Sequence, residues 1–243
     1  MRMGPITTDI IKNGLIFNMD PANRASYVPD ATTSYNTTDL LISGSLENSI
    51  NFVGSPASWG FDGVGDLIDC NIGNSDIFSF GDASNDFPFS TSLWVNFSST
   101  SGTQGLITKD NGTYREWAVI LIGGEFRIFI KDAPGMSNQQ SIDSQTTPST
   151  STWYHVTTTY NGVGGSNAAD GLKFYINGIF ESPANVVKQT YQAMDATAAP
   201  VRLGKGYTSY QFYGNIANAQ IYNRELSSTE VLHNYNALKS RFE

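Results

Sequence analysis

The chain has 243 residues, with 14 Lys and Arg against 22 Asp and Glu and a formal net charge of −8. Such a length allows one large sandwich or two small domains, and no linker or shift of composition divides it, which favours one. Scattered cations on an acidic chain exclude the basic face that a phosphate backbone requires, so nucleic acid is not an expected partner.

Residues 1–13 are short and mixed and read as an extended arm ahead of a domain at 14–243. The start lacks the basic cluster and apolar core of a secretory signal, and no run of about 18 apolar residues is present to span a bilayer. Residues 14–20, with Leu15, Phe17 and Met19 on one face, read as the first strand. Residues 21–45 are loop-like, and residues 50–53, 58–61 and 67–70 read as short strands between Gly and Pro punctuation. Cys70 is the single cysteine, which excludes an intramolecular disulfide and a cysteine zinc cluster and fits a small buried apolar residue.

Residues 89–98 form the next expected strand, carrying Phe89, Trp94 and Phe97. A turn at 110–113 joins strands at 106–109 and 117–122, and Gly123-Gly124 leads into 125–131. There Phe126, Ile128 and Ile130 oppose Arg127, Phe129 and Lys131. The polar stretch 136–152 is expected to cross the surface. Residues 153–160 and 172–180 are dense in aromatic and β-branched residues, as a half-buried hairpin needs, with a long polar loop between them. Leu172, Phe174 and Ile176 alternate with Lys173, Tyr175 and Asn177, so one face is apolar and the other wet, and Asn177-Gly178 makes a tight turn. A long connection at 183–200 precedes closing strands at 201–204 and 216–222. The one credible helix follows: Ser227 and Glu230 form a capping box, and Val231, Tyr235, Leu238 and Phe242 make an apolar stripe suited to packing on the parent sandwich.

The string WYHVTTTYNG followed by LKFYING resembles the central hairpin of laminin-G-like domains in the concanavalin-A-like lectin/glucanase superfamily. GLIFNMDPANRASY at 14–27, SWGFDGVGDLI at 58–68, FSTSLWVNF at 89–97 and YGNIANAQIYNREL at 213–226 extend the likeness in the expected order. The tail LSSTEVLHNYNALKSRF is similar to the end of such domains in tailed-phage structural proteins. The resemblance implies an all-β fold, a concanavalin-A-like, laminin-G-like jelly-roll β-sandwich of two antiparallel sheets with one short C-terminal helix at 228–242. It also implies a non-enzymatic structural or decoration protein of a tailed phage, on the capsid, neck or fibre. Such a protein assembles in the host cytoplasm and is displayed at the virion surface. Its partners would be other virion proteins and host-surface polysaccharide, with self-association left open and membrane excluded. Two alternatives stand beside this: a purely architectural virion protein without sugar binding, and a polysaccharide-degrading glycoside hydrolase.

Hydrolysis would need paired carboxylates on one strand face, and the string E-x-D-x-x-E is missing; Glu116, Glu125, Glu181 and Glu225 are isolated from one another. His155 and His233 read as structural, with no nucleophile elbow, zinc helix or phosphate-binding loop near them. Structural calcium is implied by the resemblance, and the local candidates are Asp20 with Asn23 and Asp62 with Asp66; turn chemistry is the competing role for all four. A glycan site needs aromatic platforms beside amides, because sugar rings have apolar faces and polar rims. The densest such tract is 204–214, with Tyr207, Tyr210, Gln211 and Tyr213; Tyr114 and Trp117 complete the candidate set. Core packing is the competing role for each ring.

Overall fold

The computed structural model describes residues 9–70, 75–132 and 138–243. The first eight residues of the expected arm, and Met136 and Ser137 of the polar connection, lie outside the described residues. Short segments with one apolar face each must find a second layer to cover it, and here two antiparallel sheets do so. The front sheet runs, in spatial order, Ile179–Glu181, Leu172–Ile176, Trp153–Tyr160, Phe89–Phe97, Tyr213–Tyr222, Ala57–Asp62 and Asn51–Gly54, and Leu15–Met19 also pairs along Tyr213–Tyr222. The back sheet runs Asn185–Lys188, Gln139–Asp143, Glu125–Lys131, Arg115–Ile122, Gln104–Asp110, Val201–Leu203, Leu67–Cys70, Ser43–Glu47 and Thr33–Tyr35. Strands adjacent in space are often far apart in sequence, as in a jelly roll. On one margin the chain passes from front to back through residues 182–184, and on the other from back to front through residues 48–50.

The core lies between the layers. Phe89, Leu93, Val95 and Phe97 of the front sheet meet Trp117, Val119, Phe126, Ile128 and Ile130 of the back sheet. Cys70 is buried there, and burial pushes its thiol far above the ordinary range, so it behaves as an apolar side chain. Two polar stretches hold more ladder than their composition suggests. The Thr33–Tyr35 and Ser43–Glu47 strands lie inside the expected 21–45 loop, and Asn185–Lys188 lies inside the 183–200 connection. All three sit at or near a margin of the back sheet, where backbone pairing holds strands whose side chains are largely wet.

The helix spans Ser228–Leu238 and a 3₁₀ turn, Lys239–Arg241, follows. Ser227 Oγ accepts from the Glu230 N–H (3.3 Å), while Glu230 Oε2 accepts from the Ser227 N–H (2.9 Å). The helix and the chain end pack on the outer face of the front sheet. There the Trp94 ring stacks on Phe242 at 4.2 Å and on Tyr235 at 5.6 Å, and Val231 meets Tyr175, Tyr222 and Leu226. Tyr175 is therefore covered: the face expected to be wet is half roofed by the helix. Residues 9–13 pack against the same helix, with the Ile11 N–H donating to Asn234 Oδ1 (2.8 Å) and the Tyr222 hydroxyl to the Ile11 carbonyl (3.0 Å).

Candidate functional site

The aromatic tract at 204–214 folds into a small hairpin, Lys205–Gly206 paired with Tyr210–Gln211, laid over the outer face of the back sheet. Thr108 Oγ1 ties it down by donating to the Lys205 carbonyl (2.8 Å). Beneath it Ala118, Ile120 and Phe129 form a separate apolar patch on which Tyr210 rests. The Arg115 guanidinium lies 4.7 Å from the Tyr207 ring centre, 5.2 Å from Phe129 and 5.9 Å from Tyr210, and its Nε donates to Asp110 Oδ2 (2.8 Å). A desolvated cation over an aromatic face contributes on the order of 1–2 kcal/mol, so Arg115 is the post around which the hairpin is set. Lys131 also reaches the Phe129 ring (5.6 Å), and burial pulls its ammonium pKa down to about 8. Tyr207 and Tyr210 remain partly exposed, 5.7 Å apart. Tyr207 has φ of 35°, a backbone region that residues with a side chain adopt at a cost.

The other sequence-predicted residues do not join this pair in one site. Trp117 is fully buried, its indole N–H donating to the Phe78 carbonyl (2.9 Å) and its ring among Phe80 and Phe89. It is a core residue, because the inward-facing alternation of Arg115–Ile122 starts at Trp117. Tyr114 is exposed at a rim shared with Asp82, Asp195 and Thr197. Gln211 spends its amide oxygen on the Gly65 N–H (3.2 Å). Tyr213 is exposed on the front sheet, opposite Asp62.

Neither calcium candidate presents a free set of oxygens. Asp20 is clamped by Arg241, whose two terminal nitrogens donate to its carboxylate oxygens at 2.6 and 2.9 Å, and it also accepts from Asn218 (3.1 Å) and the Ala22 N–H (3.0 Å). Asn23 Oδ1 is used by the Ala25 N–H (2.9 Å). Asp66 accepts from the Ser49 and Asp62 N–H groups, both at 2.9 Å, and Asp62 from Val64 (2.6 Å). Among the described residues no three carboxylate, His or Cys side chains converge. These residues therefore do not fit calcium, and each aspartate is used in turn or ion-pair chemistry.

Other reactive groups are equally engaged. Ser92 Oγ lies 2.8 Å from His155 Nε2 in the manner of a nucleophile and base, but both are buried under Trp94 and Tyr235, and Nδ1 has no partner to orient it. Burial alone holds this imidazole neutral, with a pKa lowered to about 3. Glu116 is buried beside Lys109 (3.1 Å) and accepts from the Thr197 N–H (2.7 Å), which fastens the 195–199 loop to the sandwich; burial raises its pKa against the pull of Lys109. Glu225 pairs with Lys173 (2.6 Å), and Glu181 accepts from the Gln145 N–H (3.0 Å). A hollow of about 630 Å³ opens between Asn18–Asn23, residues 9–15 and the helix end, but its charges are paired within the wall, Asp9 with Lys12 and Asp20 with Arg241. Among the described residues no helix is long and apolar enough to cross a membrane. Asn51, Asn96 and Asn215 face outward on the front sheet; a sequon at 96–98 marks Asn96 in the sequence, whereas only their alternate places in strands single out Asn51 and Asn215.

Two antiparallel layers, a capped terminal helix and a loop-borne aromatic edge define a lectin-like β-sandwich. The chain belongs to the concanavalin A-like lectin/glucanases superfamily, whose laminin-G-type family model matches residues 73–232. No curated protein sequence matches the chain. Among solved structures it is similar to the receptor-binding domain of botulinum neurotoxin D, with 18% identity and a TM-score of 0.61 over 91% of this chain and 52% of that one. It is similar also to the binding domain of Paraclostridial mosquitocidal protein 1, with 14% identity and a TM-score of 0.65 over 92% of this chain and 52% of that one. Domain 4 of AbnA, a GH43 extracellular arabinanase from Geobacillus stearothermophilus in complex with arabinotriose, gives 17% identity and a TM-score of 0.61, over 90% of this chain and 96% of that one. The chain spans about half the length of the two toxin domains. At such identities the likeness speaks for the fold alone.

Proposed function

We propose that this chain is a non-enzymatic carbohydrate-binding domain displayed on a tailed-phage particle, where the 205–211 hairpin engages host-surface polysaccharide and the rest of the surface meets neighbouring virion proteins. The observation that carries sugar binding is the Tyr207–Tyr210 pair, two partly exposed rings held 5.7 Å apart by a buried guanidinium on a rigid sheet. Sugar rings stack their apolar faces on such platforms, and fixing the rings before the ligand arrives lowers the cost of ordering them. The relatives lend support: the toxin domains are named for binding, and the AbnA domain holds arabinotriose. A binding rather than a hydrolytic role is supported by the separate engagement of Glu116, Glu181 and Glu225. Placement on a particle is supported by the likeness of residues 226–242 to the ends of tailed-phage domains.

A glycan array probed with wild type, Tyr207→Ala and Tyr210→Ala tests the first part. Binding of one or more glycans by wild type, lost in both variants, is expected; binding of every recognised glycan equally by all three proteins, or of none by wild type, overturns the assignment of the hairpin. Mass spectrometry of purified phage particles tests the second, and absence of the chain from them removes the virion placement. Release of reducing ends from a polysaccharide by the purified protein would overturn the non-enzymatic part.

A further inference from the structure

The helix roofs only part of the front sheet's outer face, and strand register defines what stays open. Asn51 pairs with Gly60, Gly60 with Asn215, Asn215 with Asn96, and Asn96 with Trp153. A single row thus crosses neighbouring strands from the sheet margin to its middle. The residues flanking this row on each strand, Phe52, Trp59, Ile216, Val95 and Tyr154 among them, pack on the core, so alternation turns the row outward. On one side of it Asp62 pairs with Tyr213. On the other, Ala217 and Trp94 lie buried, with Phe242 and Tyr235 stacked on the Trp94 ring, and the open strip ends there.

The chemistry of the strip is unlike that of the roofed half. Under the helix the amides of Asn218 and Asn234 are hydrogen-bonded within the fold. Those of Asn51, Asn96 and Asn215 bond to no other described residue. The Asn51 amide oxygen lies over Gly60, where a methyl group would run into it and crowd that of Asn215. Asn51, Gly60 and Asn215 line a hollow of about 380 Å³ whose wall also holds Asp62 and Asp66 and no Lys or Arg. Tyr213 is 46% exposed at one flank, and half-buried Trp153 stands at the end of the row against Phe242 (4.8 Å). At about 4.8 Å per strand, Asn51 and Trp153 lie about 19 Å apart, room for several sugar rings in line.

Each amide offers a donor pair and an acceptor, which matches the hydroxyls on neighbouring sugar carbons, and the flanking rings match a sugar's apolar face. Two carboxylates without a cation disfavour an anionic chain. We infer that this strip binds an extended chain of neutral sugars, hexoses or N-acetylhexosamines. It is a second site, on the opposite sheet from the Tyr207–Tyr210 pair, and it stands on strand register rather than on the hairpin.

Calorimetric titration of the full chain with cellotetraose, maltotetraose, xylotetraose and chitotetraose, and with trigalacturonate as the anionic control, tests it. At least one neutral tetrasaccharide is expected to bind. Its affinity should fall about tenfold or more in Asn215→Ala and in Gly60→Ala, and stay unchanged when Tyr207 and Tyr210 are both replaced by Ala. Gly60→Ala displaces only the free ends of two flexible amides, and Asn215→Ala removes an unbonded one, so an unchanged melting temperature certifies each variant. The inference is overturned if no neutral tetrasaccharide binds, if trigalacturonate binds more tightly, or if the loss follows the tyrosines and not the asparagines. The last result leaves the hairpin proposal standing; loss confined to the asparagine and glycine variants supports the strip alone.

Discussion

Acidification should weaken this protein through one buried imidazole. His155 is fully buried between Ser92 and the rings of Trp94 and Tyr235, and burial lowers its pKa from 6.5 to about 3. Between those values the unfolded chain binds a proton that the folded chain refuses. The stabilisation is therefore complete above pH 6.5 and is lost as pH falls toward 3, at about 1.4 kcal/mol per pH unit once the unfolded imidazole is charged. From pH 7.5 to 4.5 this integrates to about 2.7 kcal/mol. Urea unfolding of wild type and His155→Gln, measured at steps across that range, isolates the effect. Glu116 and Asp86, whose pKa values burial raises, act in both proteins and cancel in the difference. The gap between the two stabilities should narrow or invert by about 2–3 kcal/mol toward pH 4.5. Parallel curves would show that the folded imidazole takes up its proton freely, and the buried neutral state would be wrong.

Three further outcomes follow from the front face and its helix. Glu230, whose pKa the Arg224 guanidinium and then the capping bonds lower to about 2, should lose about 1 kcal/mol of stabilisation when changed to Gln at pH 7, the figure being small because solvent screens the pair. That contribution is present above pH 4.5 and fades toward pH 2, so wild type and Glu230→Gln should converge in acid; a constant gap in urea titrations would contradict it. Arg241→Met strands the buried Asp20 carboxylate and should cost about 2 kcal/mol, largely recovered by adding Asp20→Asn; failure of that recovery in thermal melts would mean the ion pair is not the cause. Phe242→Ala uncovers Trp94 and Trp153, so tryptophan emission should shift to the red with a loss of about 2 kcal/mol, and unchanged emission would show that the chain end is not docked.

Much of the sandwich could be read from alternation. Phe126, Ile128 and Ile130 face the core as their spacing implies, Asn177 and Gly178 take φ of 53° and 79° at the tight turn, and Ser227 and Glu230 form their reciprocal cap. Alternation fails where ladder hydrogen bonds rather than apolar faces hold a strand, as at Thr33–Tyr35 and Asn185–Lys188. It also cannot say which outer face a distant element covers, which is why Tyr175 looks wet and is not. The site was less legible. Composition brought out Tyr207 and Tyr210 but could not tell them from Trp117, because an aromatic beside a turn can point either way until register is fixed. The asparagine row depends on residues 164 positions apart in sequence, Asn51 and Asn215, meeting across Gly60.

The sandwich is laced along both long margins by connections only three residues long, 182–184 and 48–50. Links so short leave no slack for one layer to slide over or hinge away from the other. The molecule is a box stitched at both sides rather than a hinged book, and its two layers are expected to come apart together.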